Sequence, residues 1–250
     1  MSRLAIKNLL GPEKLHLDLG CSRLVLQNGK SAMSDKLSVP LKPGIQGSES
    51  LADLRTTLVN LCAEAPSGKR TLEISLSDAV ARSWIVERRP GLASGQEIEA
   101  LAGDQMRHLY GDNDADSGDW VIRLDATPFA SRWPAIALPR LLLDLLVDIA
   151  VTQGWQLARI QTRFVQRLNA ERSNLLSRQK FVVYSLDTPD GLTIGIRNTQ
   201  EWLALRTHPP LALLDTQLPV MLRRDCRAVG VSLDDCRLQA LHWPANEVPA

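Results

Sequence analysis

The chain has almost no excess of charge of one sign and few aromatic residues. Its 29 lysines and arginines and 28 aspartates and glutamates leave a formal net charge of +1, and aromatic residues make up 4% of the 250 positions. A net charge near zero provides no general electrostatic attraction to nucleic acid or to an anionic membrane. The aromatic residues are scattered, so they form no row of stacking side chains for single-stranded nucleic acid. The composition therefore gives no support to nucleic-acid binding.

The sequence also lacks an apolar run long enough to cross a membrane. The most apolar segment, residues 137–151, is shorter than the roughly 20 residues of a spanning helix, and it contains Asp144 and Asp148. Residues 1–14 include too short an apolar run for a secretory signal. We therefore expect a cytoplasmic protein that associates with a membrane only through a partner.

Cysteine and histidine are few and widely spaced. No cysteine lies at a metal-ligand spacing from another cysteine or histidine, and a chain of this length does not need disulfides for stability. We expect reduced thiols and no metal site. No GxSxG motif is present. Asp144 and Asp148 lie one turn apart on an apolar helix, which is more typical of a solvated stripe than of an acid–base pair.

What the sequence does contain is an alternation of short strands and amphipathic helices that occurs twice. In the first half, a hairpin at residues 14–30 is followed by helices, by strands and by the long apolar helix, with Pro139 in its first turn. A strand over residues 155–164 ends this half, and a polar segment at residues 169–179 follows. Three consecutive strands, a helix over residues 213–229 and a last strand complete the chain. The pattern predicts an α/β protein with mixed sheets.

Four stretches of the chain, in order, resemble a known family. They cover residues 15–27, with the sequence LHLDLGCSRLVLQ, and residues 72–86, 99–125 and 134–169. The shared features are a strand ending in Leu-Ser-Asp, a helix before a Tyr-Gly turn, an Asp-Trp strand, a helix opening with Ala-Leu-Pro, and a loop ending at Asn169. The chain thus resembles the pilus-assembly and type II secretion branch of the actin-like, ribonuclease-H-like superfamily. Its members include PilM-type proteins and the cytoplasmic part of GspL-type platform proteins.

The resemblance implies an actin-like ATPase fold with a duplicated β-β-β-α-β-α plan. It places a first subdomain at residues 1–170 and a second, reduced subdomain at residues 171–250. Such relatives bridge a bitopic inner-membrane protein to the cytoplasmic assembly ATPase. The implied function is a non-catalytic scaffold of a type IV pilus or type II secretion-like platform. It would be cytoplasmic, peripheral to the inner membrane, and bound to the cytoplasmic segment of a membrane partner.

The first hairpin resembles the phosphate loop of this superfamily. A complete site needs two facing glycine hairpins and an adenosine loop, with backbone N–H groups around the phosphates and carboxylates around Mg²⁺. In the second hairpin, Pro189 removes an N–H donor, and residues 237–250 contain no glycine for an adenosine loop. We therefore interpret the first hairpin as vestigial and expect it to bind neither ATP nor Mg²⁺. The alternatives for the chain are a nucleotide-binding ATPase or sugar-kinase relative of the same fold, and a protein that self-assembles into actin-like filaments. The candidate residues are Asp18, Gly20, Cys21 and Ser22.

A basic edge surrounds Trp84 on a predicted strand. Its arginines are Arg82, Arg88 and Arg89. Such an edge can receive an acidic partner strand or an anionic lipid surface, or it can simply be a solvated edge strand. Tryptophan is over-represented among binding hot spots. These four residues are the candidate partner-binding site.

Overall fold

A computed structural model describes residues 13–28, 36–40, 48–64, 68–88, 91, 95–110, 120–125, 130–171 and 180–243. The strands are β1 Glu13–Leu19, β2 Arg23–Asn28, β3 Lys36–Pro40, β4 Arg70–Leu76, β5 Arg82–Glu87, β6 Trp120–Leu124, β7 Arg132–Pro139, β8 Gln156–Thr162, β9 Phe181–Thr188, β10 Gly191–Asn198, β11 Trp202–His208 and β12 Cys236–His242. The helices are α1 Ser48–Ala63, α2 Gly95–Tyr110, α3 Arg140–Thr152, α4 Arg163–Ala170 and α5 Leu214–Ala228.

Two of the three sheets repeat one plan. The first has the strand order β3-β2-β1-β4-β8 and the second has the order β11-β10-β9-β12. In each, the first two strands of the half are antiparallel and the fourth strand is parallel to the first. One helix, α1 or α5, connects the third strand of each half to the fourth. The predicted mixed sheets and duplicated plan are confirmed, and the second sheet is shorter by the strand that corresponds to β8.

The chain divides into two compact units that are interleaved in sequence. Unit 1 comprises Met1–Ser77 and Arg140–Gln161, and unit 2 comprises Asp78–Pro139 and Thr162–Ala250. The sequence analysis instead places one subdomain boundary between residues 170 and 171. That boundary separates the two halves of the duplicated plan, whereas the two units group residues that lie close together in space. The division into units therefore does not test the boundary, which stays a prediction.

Unit 1 has a leucine-rich core. Alternate residues of β1 and β4 are buried, and they share this core with the apolar faces of α1 and α3, which contact each other. Asp144 and Asp148 lie on the exposed face of α3, and the Asp148 carboxylate accepts a hydrogen bond from the Arg55 guanidinium of α1 at 3.0 Å. The predicted solvated stripe is therefore confirmed.

Unit 2 contains the other two sheets. The sheet β5-β7-β6 packs with α2 around Trp84, Val86 and Met106. The sheet β11-β10-β9-β12 is packed on one side against α5 and carries on its other side a cluster that includes Phe164 of α4 and Tyr184. No helix in the described part of the chain is long and apolar enough to span a bilayer.

Two segments differ from the sequence prediction. Pro139 is the last residue of strand β7 instead of lying in the first turn of a helix, and α3 begins at Arg140. The predicted strand over residues 155–164 ends at Thr162, and helix α4 begins at Arg163. Thr162 caps α4, because its hydroxyl accepts a hydrogen bond from the Val165 N–H at 3.3 Å. The burial of Phe164 against the second sheet then stabilises α4, although this helix has only eight residues.

Candidate functional site

The four candidate nucleotide residues lie together at the turn between β1 and β2. The Asp18 side chain is buried, and the Gly20 N–H donates a hydrogen bond to the Arg23 carbonyl at 2.8 Å. The thiol of Cys21 lies 4.0 Å from the Ser77 hydroxyl. The hairpin thus uses the Gly20 N–H to close its own turn, where a phosphate loop would direct that donor to a phosphate oxygen.

The turn between β9 and β10 is tied to helix α4 by an ion pair. Asp190 follows Pro189 at this turn, and one of its carboxylate oxygens lies 2.5 Å from a guanidinium nitrogen of Arg163. Only 7% of the Arg163 side chain and 6% of the Asp190 side chain are exposed. The Arg163 guanidinium also lies over the Trp243 ring, 5.4 Å from its centroid. The Asp190 carboxylate is therefore neutralised by an arginine of the chain itself.

Asp78 follows β4 in the chain, and its buried carboxylate contacts the first turn of α4. One of its oxygens accepts a hydrogen bond from the Phe164 N–H at 3.1 Å, and the other has no hydrogen-bond partner in the structure. Burial raises the pKa of Asp78 to about 6, although hydrogen bonds from the Thr162 side chain and the Phe164 backbone and the nearby Arg163 charge act in the opposite direction. Asp78 therefore holds its proton more tightly than an exposed aspartate does.

Unit 2 also contains a groove of about 510 Å³ between β5 and β11. Both strands lie at the edge of their sheets. Its other walls come from the C-terminal ends of α2 and α5, including Leu109 and Val229. The volume lies within the range of roughly 300–1,000 Å³ that is usual for ligand pockets. The groove is thus large enough for several side chains of a partner.

The groove contains one of the predicted partner-binding residues and adjoins another. Trp84 lines it with only 2% of its surface exposed, and its indole N–H has no hydrogen-bond partner. The Tyr110 ring meets Trp84 edge-on, and the Arg82 guanidinium lies 5.0 Å from the Tyr110 ring centroid. Arg88 lies over the Trp133 ring at 5.8 Å. Arg89 falls outside the described residues.

Sequence reasoning missed a charged cluster that reaches the groove. The fully buried Asp225 carboxylate accepts hydrogen bonds from Arg206 at 3.1 Å and from His208 at 2.7 Å, and it forms a longer ion pair with Arg224. Burial raises the pKa of Asp225, but the His208 hydrogen bond and the charges of these neighbours lower it below its usual value. The signal in the sequence was the spacing of Leu222, Asp225 and Cys226, which places an acid on the buried face of α5.

The fold was compared with known proteins. No family model and no curated protein matches the chain. Among solved structures, a Bacteroides thetaiotaomicron protein with actin-like ATPase fold and unknown function is 8% identical, with a TM-score of 0.56 over 94% of this chain and 83% of that one. PilM in the PilM-PilN type IV pilus biogenesis complex is 17% identical, with a TM-score of 0.52 over 88% of this chain and 67% of that one.

A third structure is the cytoplasmic domain of EpsL, an inner membrane component of the type II secretion system of Vibrio cholerae. It is 15% identical, with a TM-score of 0.47 over 92% of this chain and 82% of that one. At these identities the comparisons establish the fold alone. Together with the duplicated sheet order, the first two show that the chain has the actin-like ATPase fold.

Proposed function

We propose that the chain is a non-catalytic cytoplasmic scaffold of an inner-membrane platform for a type IV pilus or a type II secretion-like system. The observation that carries the proposal is the likeness to PilM in the PilM-PilN complex, which extends over 88% of the chain. In this role the protein binds the cytoplasmic segment of a bitopic membrane partner, and the assembly ATPase is a second partner. The protein is then peripheral to the inner membrane.

The state of the two hairpins supports a scaffold without catalysis. In the first hairpin the Gly20 N–H is engaged within the turn. In the second, Pro189 lacks an N–H, and the Asp190 carboxylate is held by Arg163. Phosphoryl transfer depends almost entirely on positioned donors and on Mg²⁺ held by carboxylates. The Gly20 N–H and the Asp190 carboxylate are therefore both engaged by groups of the chain itself.

The groove between β5 and β11 is the proposed place of partner binding. It combines Trp84 and Tyr110 with the exposed Leu109, and Arg82 stands beside it. Aromatic and arginine side chains around an apolar depression are the usual composition of a binding hot spot. We assign Trp84, which lines the groove, and Arg82, which stands beside it, to this surface. Arg88 and Arg89 stay predicted members of the partner-binding site from the sequence alone.

Photo-crosslinking in the native host tests the proposed function. Leu109, which lines the groove and is 58% exposed, is replaced by p-benzoylphenylalanine. We expect a crosslinked product in which mass spectrometry identifies a bitopic inner-membrane protein of a pilus or secretion platform. Val220 on α5, which is 65% exposed and does not line the groove, is the matched control position. If neither position yields a platform component, the proposal is wrong.

Nucleotide binding is the second candidate function, because the first hairpin retains Asp18 and Gly20 at a tight turn. If the hairpin is vestigial, calorimetry of the purified protein with Mg-ATP will show no binding heat, and Asp18→Ala will behave in the same way. Micromolar binding that Asp18→Ala abolishes would instead establish a working phosphate site. The scaffold would then be switched by nucleotide.

A further inference from the structure

Helix α5 presents apolar and basic side chains to solvent on one face. This face begins with Leu213, the cap residue of the helix, and Val220, which are 64% and 65% exposed. Three exposed arginines continue it. Positions 213, 220 and 227 are separated by seven residues each, which is close to two helical turns, so they lie along one line. We call this face the α5 ridge; its members are Leu213, Val220, Arg223, Arg224 and Arg227.

The opposite face of α5 anchors the helix to the protein. Leu222 and Cys226, one turn apart, are buried in the core against the sheet β11-β10-β9-β12. Residues 214–221 are all exposed or half-buried, so the first half of the helix lies on the surface. The residues that pack on this core do not include Leu213 or Val220. The apolar residues of the α5 ridge are therefore available for an external contact.

The second half of α5 has an excess of positive charge. Residues 221–228 contain three arginines and one acid, Asp225. Asp225 is fully buried, and its carboxylate already accepts hydrogen bonds from two residues of β11. The exposed Asp234 and Asp235 lie in the turn that follows the helix. Within the described part of the chain, the structure records no ion pair between them and Arg223 or Arg227. The surface of this half of the helix is therefore basic.

Helix stability alone does not explain the α5 ridge. The C-terminus of a helix attracts cations, which accounts for Arg227 in the last turn, but this attraction falls off within one turn. It does not account for Arg223 or for the exposed aliphatic side chains on the same face. Arginines beside exposed aliphatic residues are typical of helices that lie in the interface of an anionic bilayer. The ridge is also convex and roughly 21 Å long, so a flat surface can contact it along its whole length.

We propose that the α5 ridge lies directly on a bilayer that contains anionic lipids. Leu213 and Val220 enter the level of the headgroups, and the arginines of the ridge contact lipid phosphates. The net charge of the chain near zero provides no general attraction to such a surface, so the attraction comes from the local excess of arginine on α5. This contact goes beyond the proposed function, because it involves neither the groove nor a protein partner.

Cosedimentation with lipid vesicles tests this inference. The purified full chain is mixed with vesicles of phosphatidylglycerol and phosphatidylcholine in equal parts, or of phosphatidylcholine alone. We expect binding only to the first, and weaker binding as salt screens the surface potential. Arg223→Gln and Arg227→Gln together should lower the partition coefficient roughly 25-fold, which is about fivefold for each charge. Val220→Asp should lower it about tenfold, because an apolar contact is lost and a negative charge is added.

Two substitutions on β12 are the matched controls. Arg237→Gln and Leu238→Asp make the same chemical changes at exposed positions outside the α5 ridge, and both should leave vesicle binding unchanged. Unfolding curves of all variants show that each one folds. The inference is wrong if the wild type does not bind anionic vesicles, or if the control variants lose as much binding as the ridge variants. It is also wrong if Val220→Asp binds normally, or if the ridge arginines instead capture an acidic protein.

The outcomes for lipid binding and for the proposed function are distinguishable. Vesicle binding that depends on the α5 ridge, without a platform component crosslinked at Leu109, would support the lipid contact and overturn the proposed cellular role. A platform partner crosslinked at Leu109, without binding to anionic vesicles, would overturn the lipid contact and leave the scaffold role in place.

Discussion

Replacing Arg163 by leucine is expected to lower the free energy of unfolding by about 3–5 kcal/mol, because it leaves the buried Asp190 carboxylate without its counter-charge. The side chains of this ion pair are almost fully buried, so water cannot replace the lost guanidinium. Urea unfolding followed by tryptophan fluorescence measures the effect. Five of the six tryptophans lie in unit 2, which contains both residues of the pair: Trp84, Trp120, Trp133, Trp202 and Trp243.

Arg167→Leu on the same helix is the matched control. Arg167 pairs with Glu171 one turn away, and both side chains are partly exposed. Such pairs are worth about 1 kcal/mol or less, so this variant should remain close to the wild type. Removing both charges, with Arg163→Leu and Asp190→Leu together, should recover part of the lost stability. Equal losses in Arg163→Leu and Arg167→Leu would show that the ion pair does not hold the second hairpin.

Replacing Asp78 by asparagine is expected to stabilise the protein at pH 7 by up to about 3 kcal/mol. The native pKa is about 6, whereas an unfolded aspartate has a pKa of about 3.9. Between these values the native state binds a proton that the unfolded state does not. The free energy of unfolding therefore falls as the pH rises from about 4 to about 6, and this loss is complete above the native pKa. Asparagine keeps the acceptor for the Phe164 N–H and carries no charge.

The difference in unfolding free energy between Asp78→Asn and the wild type, taken at each pH, separates the contribution of Asp78 from that of the other titrating residues. Unfolding free energies at pH 4 and pH 7 should show a small difference at the lower pH and the full difference at the higher pH. Asp144→Asn, which removes an exposed carboxylate on α3, should change stability by no more than about 0.5 kcal/mol at either pH. A difference for Asp78→Asn that does not grow with pH would contradict the assigned pKa.

The repeated elements of the fold could be predicted because they depend on local pattern. Leucines at helical spacing identified α1, and alternating residues identified the hairpins of both halves, whose register depends on the buried face. Helix α4 could not be predicted in the same way. It is eight residues long and mostly polar, and it is stabilised by a cap at Thr162 and by burial of Phe164 against a distant sheet. Tertiary packing overrides weak local propensity in such segments.

The candidate site was predicted only in part for a related reason. Trp84 and the turn residues from Asp18 to Ser22 carry signals within a few positions of themselves. The groove instead joins β5 to β11, which lie more than 100 positions apart, and no local pattern indicates that two strand edges meet. The Arg163–Asp190 pair could not be predicted either, because Asp190 alone is typical of a solvated turn and its partner lies 27 positions away.

The interleaving of the two units sets an order of events during synthesis. Unit 1 needs residues 140–161, including most of β8, the edge strand of its sheet, but residues 78–139 of unit 2 emerge from the ribosome first. At roughly 5–20 residues per second, the first 77 residues wait about 4–17 s until residues 78–161 are made and the missing helix and strand are complete. During that time the apolar faces of β1, β4 and α1 have no α3 to cover them. We therefore expect the nascent chain to expose leucine-rich segments that chaperones recognise, and slower translation of residues 78–139 to lengthen that exposure.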